Sequence, residues 1–102
     1  MTERPIAGFD WDRGNRTKCH QHGVSTEEIE SLFLVPLMIL PDTAHSLTET
    51  RFRAVGKTAA GRYVFLVFTI REKGGRRYIR AISARYMHRK EVQQYEKENP
   101  DL

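Results

Sequence analysis

The stretch RRYIRAISARYMHRKEVQQYE, Arg76 to Glu96, reads as a strand that runs without a linker into a short helix. Ile79 and Ile82 stand an odd number of positions apart, so an extended backbone sends them to opposite faces; a strand apolar on both faces belongs inside a sheet. Its arginines are therefore held in place. By the same alternation Arg85 shares a face with Ile79 and Ser83, whereas Arg80 shares the other with Ile82. At most one of the two arginines then lies on a functional face, unless a bulge intervenes. Upstream, Lys73, Gly74 and Gly75 form a hairpin turn in which the glycines supply positive φ. Before it, Tyr63 to Ile70 is apolar on both sides and makes the antiparallel, central partner.

Working outward, Glu49 to Val55 has a period of two, with Phe52 and Ala54 on one side and Glu49, Arg51 and Arg53 on the other. Leu37 to Leu40 is a short apolar strand closed by Pro41 and Asp42, after a helix that Pro36 ends. That helix starts on a clear signature: Ser25 as N-cap, Glu28 completing a capping box, Val24 placed to staple onto Ile29, and a stripe of Ile29, Leu32 and Phe33. Gly23 stops a weaker helix over Arg13 to His22, which Asp12 caps. Phe9 and Trp11 alternate with Asp10 and Asp12 as a short first strand. At the far end Val92 and Tyr95 mark the thin apolar side of a helix from about His88 to Glu98. The sum is an α+β domain: a small antiparallel β-sheet with helices packed on one face and charge on the other.

A chain of 102 residues supports one domain, expected over 1–102 with flexible ends at about 1–7 and 97–102. No apolar run approaches the roughly 20 residues of a membrane span. The acids near the N-terminus do not fit a signal peptide, and the single cysteine, Cys19, excludes an internal disulfide. The expectation is a cytoplasmic protein with no membrane partner. Between Arg71 and Lys90 stand eight Lys/Arg and one acid, Glu72, a local net charge of +7 in a chain that nets +4. Positive charge concentrated on one segment points to a polyanionic partner.

Several groups could carry chemistry. Glu49, Arg51 and Arg53 emerge on one side of one strand, either as a solvated face with cross-strand ion pairs or as a phosphate-binding surface with a carboxylate beside it. Arginine suits the second role because its planar fork donates paired hydrogen bonds to phosphate oxygens and keeps its charge. Cys19, His20 and His22 invite a metal reading, but no second ligand pair at a zinc-site spacing follows, and His45 and His88 are isolated. No metal or cofactor is expected. Arg89 and Lys90 open the last helix and Glu96 and Glu98 close it, each opposing the macrodipole by roughly 0.3 to 1 kcal/mol. Such a reversal fits an anion-binding surface extended from Arg80 and Arg85.

These pieces together resemble the BrnT toxins, ribonuclease halves of bacterial type II toxin-antitoxin pairs. The matching residues are Phe9 to Asp12 (FDWD), Asn15, His22-Gly23-Val24-Ser25 leading into Glu27, Glu28 and Phe33, the Glu49/Arg51 pair before Gly56, and Ile82 to Arg85 (ISAR) followed by Arg89, Glu91 and Tyr95. The resemblance spans roughly residues 8 to 96. It implies a RelE-like fold, cleavage of RNA (mRNA among the candidates), and neutralisation by a small DNA-binding antitoxin, BrnA, through which alone operator DNA is reached. Carried over by position, it points to His22, Glu49, Arg51 and Arg85 as catalytic residues. Lys18, Arg53, Arg80, Tyr86, Arg89 and Lys90 are the expected RNA-binding residues. Two positions depart from the family pattern: Gln21 replaces a lysine before the histidine, and His88 stands where a threonine would cap the last helix.

The implied chemistry is metal-independent, with in-line attack of a 2′-hydroxyl on the adjacent phosphorus. Arg51 and Arg85 would stabilise the charge, Glu49 or His22 would take the proton, and His22 or Tyr86 would return one. Two alternatives remain: a ParE-like toxin that inhibits a protein target such as DNA gyrase without nuclease chemistry, and a degenerate toxin that only binds its antitoxin.

Overall fold

The computed structural model describes residues 5–35, 37–42 and 49–100; Pro36 and His45 lie outside the described residues. Five strands and three helices follow in the order β1 (Ile6–Phe9), α1 (Arg13–His20), α2 (Thr26–Leu32), β2 (Met38–Pro41), β3 (Arg51–Lys57), β4 (Tyr63–Lys73), β5 (Arg76–Tyr86) and α3 (Arg89–Glu98). The strands form one sheet in the order β1-β5-β4-β3-β2. The expected meander is present: β3 and β4 pair antiparallel, and β4 turns through Gly74 and Gly75, both at positive φ, into antiparallel β5. Two neighbouring positive-φ residues twist a two-residue turn the way the flanking strands twist.

Several expectations need correction, among them the strand expected from Glu49 to Val55, which spans Arg51–Lys57 and leaves Glu49 just before it. The sheet is mixed, because β1 pairs parallel with β5, and β1 covers Ile6–Phe9 where Phe9 to Asp12 was expected. Chain polarity across distant strands leaves no trace in a four-residue pattern. Helix α1 stops at His20, two residues short of the expected end. Finally, the helices do not share one face.

The inner face carries Ala54, Val64, Leu66, Phe68, Ile79, Ala81 and Ala84, which close a core with Cys19 of α1, Val24, and Ile29 and Leu32 of α2. Gly56 shows how closely α2 lies on the sheet: a Cβ there would stand 3.1 Å from Leu32 Cδ2. Helix α2 is held at its start as its sequence requires, with Ser25 Oγ accepting from the Glu28 N–H at 3.0 Å and Glu28 Oε1 accepting from the Ser25 N–H at 3.0 Å. Burying Ile29 and Leu32 contributes roughly 1.5 to 3 kcal/mol each.

Helix α3 lies on the opposite side. Tyr63 and Arg85 alternate with the buried Val64 and Ala84, so they face outward, and both meet α3. The Tyr63 and Tyr95 rings sit 5.4 Å apart, and Arg85 pairs with Glu91 at 2.8 Å. Tyr95 is buried, yet it stands outside the core cluster. The outer face is thus covered by a helix at one end and left open at the other.

Candidate nucleic-acid interface

The open end of the outer face is built on register. Arg51 of β3 pairs across from Thr69 of β4, and Thr69 pairs across from Arg80 of β5, so two arginines flank one threonine in a single row. One step along, Arg53, Val67 and Ser83 form the next row, and beyond it stand Val55, Phe65 and Arg85. Strand β5 carries an extra residue between these rows: Val67 faces Ser83 while Phe68 faces Ala81, which leaves Ile82 unmatched. A bulge shifts the side-chain alternation by one position. Arg80 and Arg85 therefore both lie on the outer face.

Around the first row is a pocket of about 250 Å³ lined by Lys18, Glu49, Arg51, Arg71, Arg80 and Ile82, among others. Four cations and one carboxylate converge there. A site this small, somewhat below the usual 300 to 1,000 Å³ of small-molecule pockets, suits one charged group rather than a whole ligand. Arg71 Nη2 lies 3.5 Å from Glu49 Oε1. Arg80 is fixed by two carboxylates, its Nη1 3.5 Å from Asp10 Oδ2 and its Nη2 3.0 Å from Asp12 Oδ2, while Lys73 Nζ holds the other Asp10 oxygen at 2.9 Å.

Helix α1 reaches this pocket because it takes over the edge of β5 where β1 ends. The Asp10 N–H donates to the Ile79 carbonyl at 2.8 Å, the last main-chain bond on that edge from β1. Next along, the Asn15 side chain donates from Nδ2 to the Ala81 carbonyl at 2.8 Å and to the Asp10 carbonyl at 2.9 Å. Its Oδ1 accepts from the Asp12 N–H at 2.8 Å. Buried Asn15 satisfies edge groups that would otherwise be orphaned. The same helix turns Cys19 into the core and Lys18 into the pocket.

The remaining expected site residues lie elsewhere. Arg85 stands four residues along β4 from the Thr69 row, about 13 Å away at strand rise. Its guanidinium lies over the Phe65 ring, 5.0 Å from the centroid, and grips both Glu91 oxygens at 2.8 and 2.9 Å. That pairing, helped by the His88 N–H, holds the Glu91 carboxyl down at about 2. Tyr86 points to the inner side, where its hydroxyl donates to Glu28 Oε1 at 2.7 Å under the Arg62 guanidinium. The Glu28 carboxylate raises the Tyr86 hydroxyl above its ordinary value, first through this hydrogen bond.

His22 is exposed in the turn after α1, at the Tyr86 end of β5; the neighbouring Gly23 would bring a Cβ to 3.9 Å from the Tyr86 ring. Arg53 is exposed on the outer face beside the pocket, and Arg89 and Lys90 are exposed at the start of α3. His88 occupies the N-cap position of α3, where Glu91 accepts from its backbone N–H. The structure thus gathers Lys18, Glu49, Arg51 and Arg80, and separates them from His22, Tyr86 and Arg85.

Sequence reasoning gave no site role to Arg71, Asp10 or Asn15, although Asp10 and Asn15 stand among the residues that carry the family resemblance. Arg71 was within reach: it continues the alternation of Val67 and Thr69 once β4 runs to Lys73 instead of stopping at Ile70. Nothing in a single sequence places Asp10 or Asn15 against β5. Cys19 is fully buried, and burial pushes its thiol up to about 11; it packs as an apolar group. Among the described residues no cluster of three or more His, Cys, Asp or Glu could hold a metal ion. Nor is any described helix long and apolar enough to cross a membrane.

The protein is thus a five-stranded α+β domain whose cations converge on the open end of the outer sheet face. The sequence model of the family described as the ribonuclease toxin, BrnT, of type II toxin-antitoxin systems matches residues 11–91, and the chain belongs to that family. Membership implies RNA as target and an antitoxin as partner. No curated protein matches the chain significantly.

Proposed function

We propose that the pocket between β3, β4, β5 and α1 cleaves RNA without a metal ion. The observation that carries this reading is the row Arg51, Thr69, Arg80 with Glu49 and Lys18 beside it: cations for a phosphate and a carboxylate within one pocket. In the proposed reaction Glu49 takes the proton of a 2′-hydroxyl and the 2′-oxygen attacks the adjacent phosphorus. The bond from phosphorus to the 5′-oxygen breaks, and that oxygen receives a proton from Lys18. The products are a 2′,3′-cyclic phosphate and a 5′-hydroxyl. Arg51 and Arg80 stabilise the charge that builds on the non-bridging oxygens, where preorganised donors have most effect.

His22 and Arg85 then serve the flanking nucleotides, with Arg53 between the two ends and Arg89 and Lys90 beyond. The fold is proposed as RelE-like, the antitoxin as BrnA-like, and operator DNA as reached only through that antitoxin. Cleavage of a 5′-labelled RNA in excess EDTA tests the reading. Activity should persist and leave cyclic phosphate ends, while Glu49→Gln and Arg51→Ala should each lower kcat by about 10² or more. Complete loss on chelation overturns the metal-free chemistry, and full activity in both variants overturns the pocket.

A further inference from the structure

We infer that Asp12 occupies the phosphate position on Arg80 in the RNA-free protein and gives it up to RNA, so that Asp12 sets the affinity for single-stranded RNA. The inference rests on the pocket proposed above. The Arg80 fork is divided between two carboxylates of different character. Asp10, whose side chain is 8% exposed, holds Nη1 and is itself tied to Lys73. Asp12, whose side chain is 57% exposed, holds Nη2 at 3.0 Å. Asp10 thus anchors the guanidinium, and Asp12 caps the nitrogen that an incoming phosphate needs.

A carboxylate and a phosphate present the same kind of acceptor to an arginine fork, and the dianionic or diester oxygen competes for one geometry. The Arg80 side chain is only 17% exposed, but the Asp12 carboxylate is open to solvent, so water can take its place when it leaves the guanidinium. Asp12 also has a separate structural task, because its Oδ1 accepts the Asn15 N–H at 3.0 Å as the N-cap of α1. Asparagine performs that task about as well as aspartate. Asp12→Asn therefore removes the competing charge and keeps the cap, while Asp10 still orients Arg80.

The probe is a single-stranded oligonucleotide of 2′-O-methyl RNA, which binds but cannot be cleaved by its own 2′-oxygen. Binding is measured by fluorescence anisotropy across salt concentrations for the wild type, Asp12→Asn, Arg80→Gln and the double variant, each checked for thermal unfolding. Asp12→Asn is expected to bind about two- to fivefold tighter at low salt. Its plot of log K against log salt should keep the wild-type slope to within about 0.7, the increment of one phosphate contact on a single strand, because Arg80 meets the same phosphate in both complexes. In the Arg80→Gln background the gain should vanish.

Unchanged or weaker binding by Asp12→Asn, with Arg80→Gln clearly impaired, overturns the role of Asp12 and leaves the pocket standing. A gain that persists without Arg80 also overturns it, since the effect is then general charge. Wild-type binding by Arg80→Gln overturns the pocket reading itself.

Discussion

Arg80 and Arg85 project from the same face of β5 although they stand an odd number of positions apart, because Ile82 has no partner on β4. The two guanidiniums nonetheless do different things. Arg80 reaches the basic pocket, whereas Arg85 is spread over Phe65 and held by Glu91. Arg85→Ala should therefore weaken the fold as well as RNA contact, by about 1 to 2 kcal/mol from the lost ring contact and ion pair. Its loss in the chemical step should be smaller than that of Arg51→Ala. Urea unfolding and single-turnover cleavage, run on both variants, check the contrast.

Glu91 makes stability depend on acid. Its folded value of about 2 lies below the ordinary 4.5, so its contribution is fully present above about 4.5 and is lost as pH falls towards 2. Both side chains of the pair are about one-third exposed, so solvent screening holds the contribution to at most about 1 kcal/mol. Glu91→Gln should flatten the pH dependence of stability in that window and leave the difference from wild type constant above pH 5. Denaturant midpoints taken from pH 2.5 to 7 give the comparison.

Asn15 joins three segments. Asn15→Ala would orphan the Ala81 and Asp10 carbonyls and the Asp12 N–H at a buried place. The expected cost is about 2 to 4 kcal/mol, as leaving buried polar groups unpaired costs roughly 1 to 3 kcal/mol each before relaxation. Hydrogen exchange should show faster opening at the β5 edge and α1 than at β3 or β4.

Gly56 sits where space is tight, not at a special backbone angle. A methyl group there would meet Leu32 Cδ2 at 3.1 Å and Leu37 Cβ at 3.4 Å, and overpacking of this kind costs about 1 to 3 kcal/mol. Gly56→Ala combined with Leu32→Val should destabilise less than the sum of the two single changes. A double-mutant cycle by urea unfolding measures the difference.

The amino-acid sequence by itself determined the elements whose signals lie within a few residues. The capping box of Ser25 and Glu28, the Gly74-Gly75 turn, the alternation through Arg51, Phe52 and Arg53, and the two-faced apolar runs of β4 and β5 all stand where their patterns put them. Each reflects a constraint between neighbours along the chain, where a backbone N–H needs an acceptor or a φ must be positive. The tertiary structure alone decided the parallel pairing of β1, the placement of α3 on the outer face, and the Ile82 bulge. It also decided which charges meet: Asn15 reaches Ala81 across 66 positions and Lys73 reaches Asp10 across 63. Alternation along a strand says which residues share a face only while the register is unbroken, and register belongs to the pair of strands. That is why Arg80 and Arg85 looked opposed in one dimension and share a face in three.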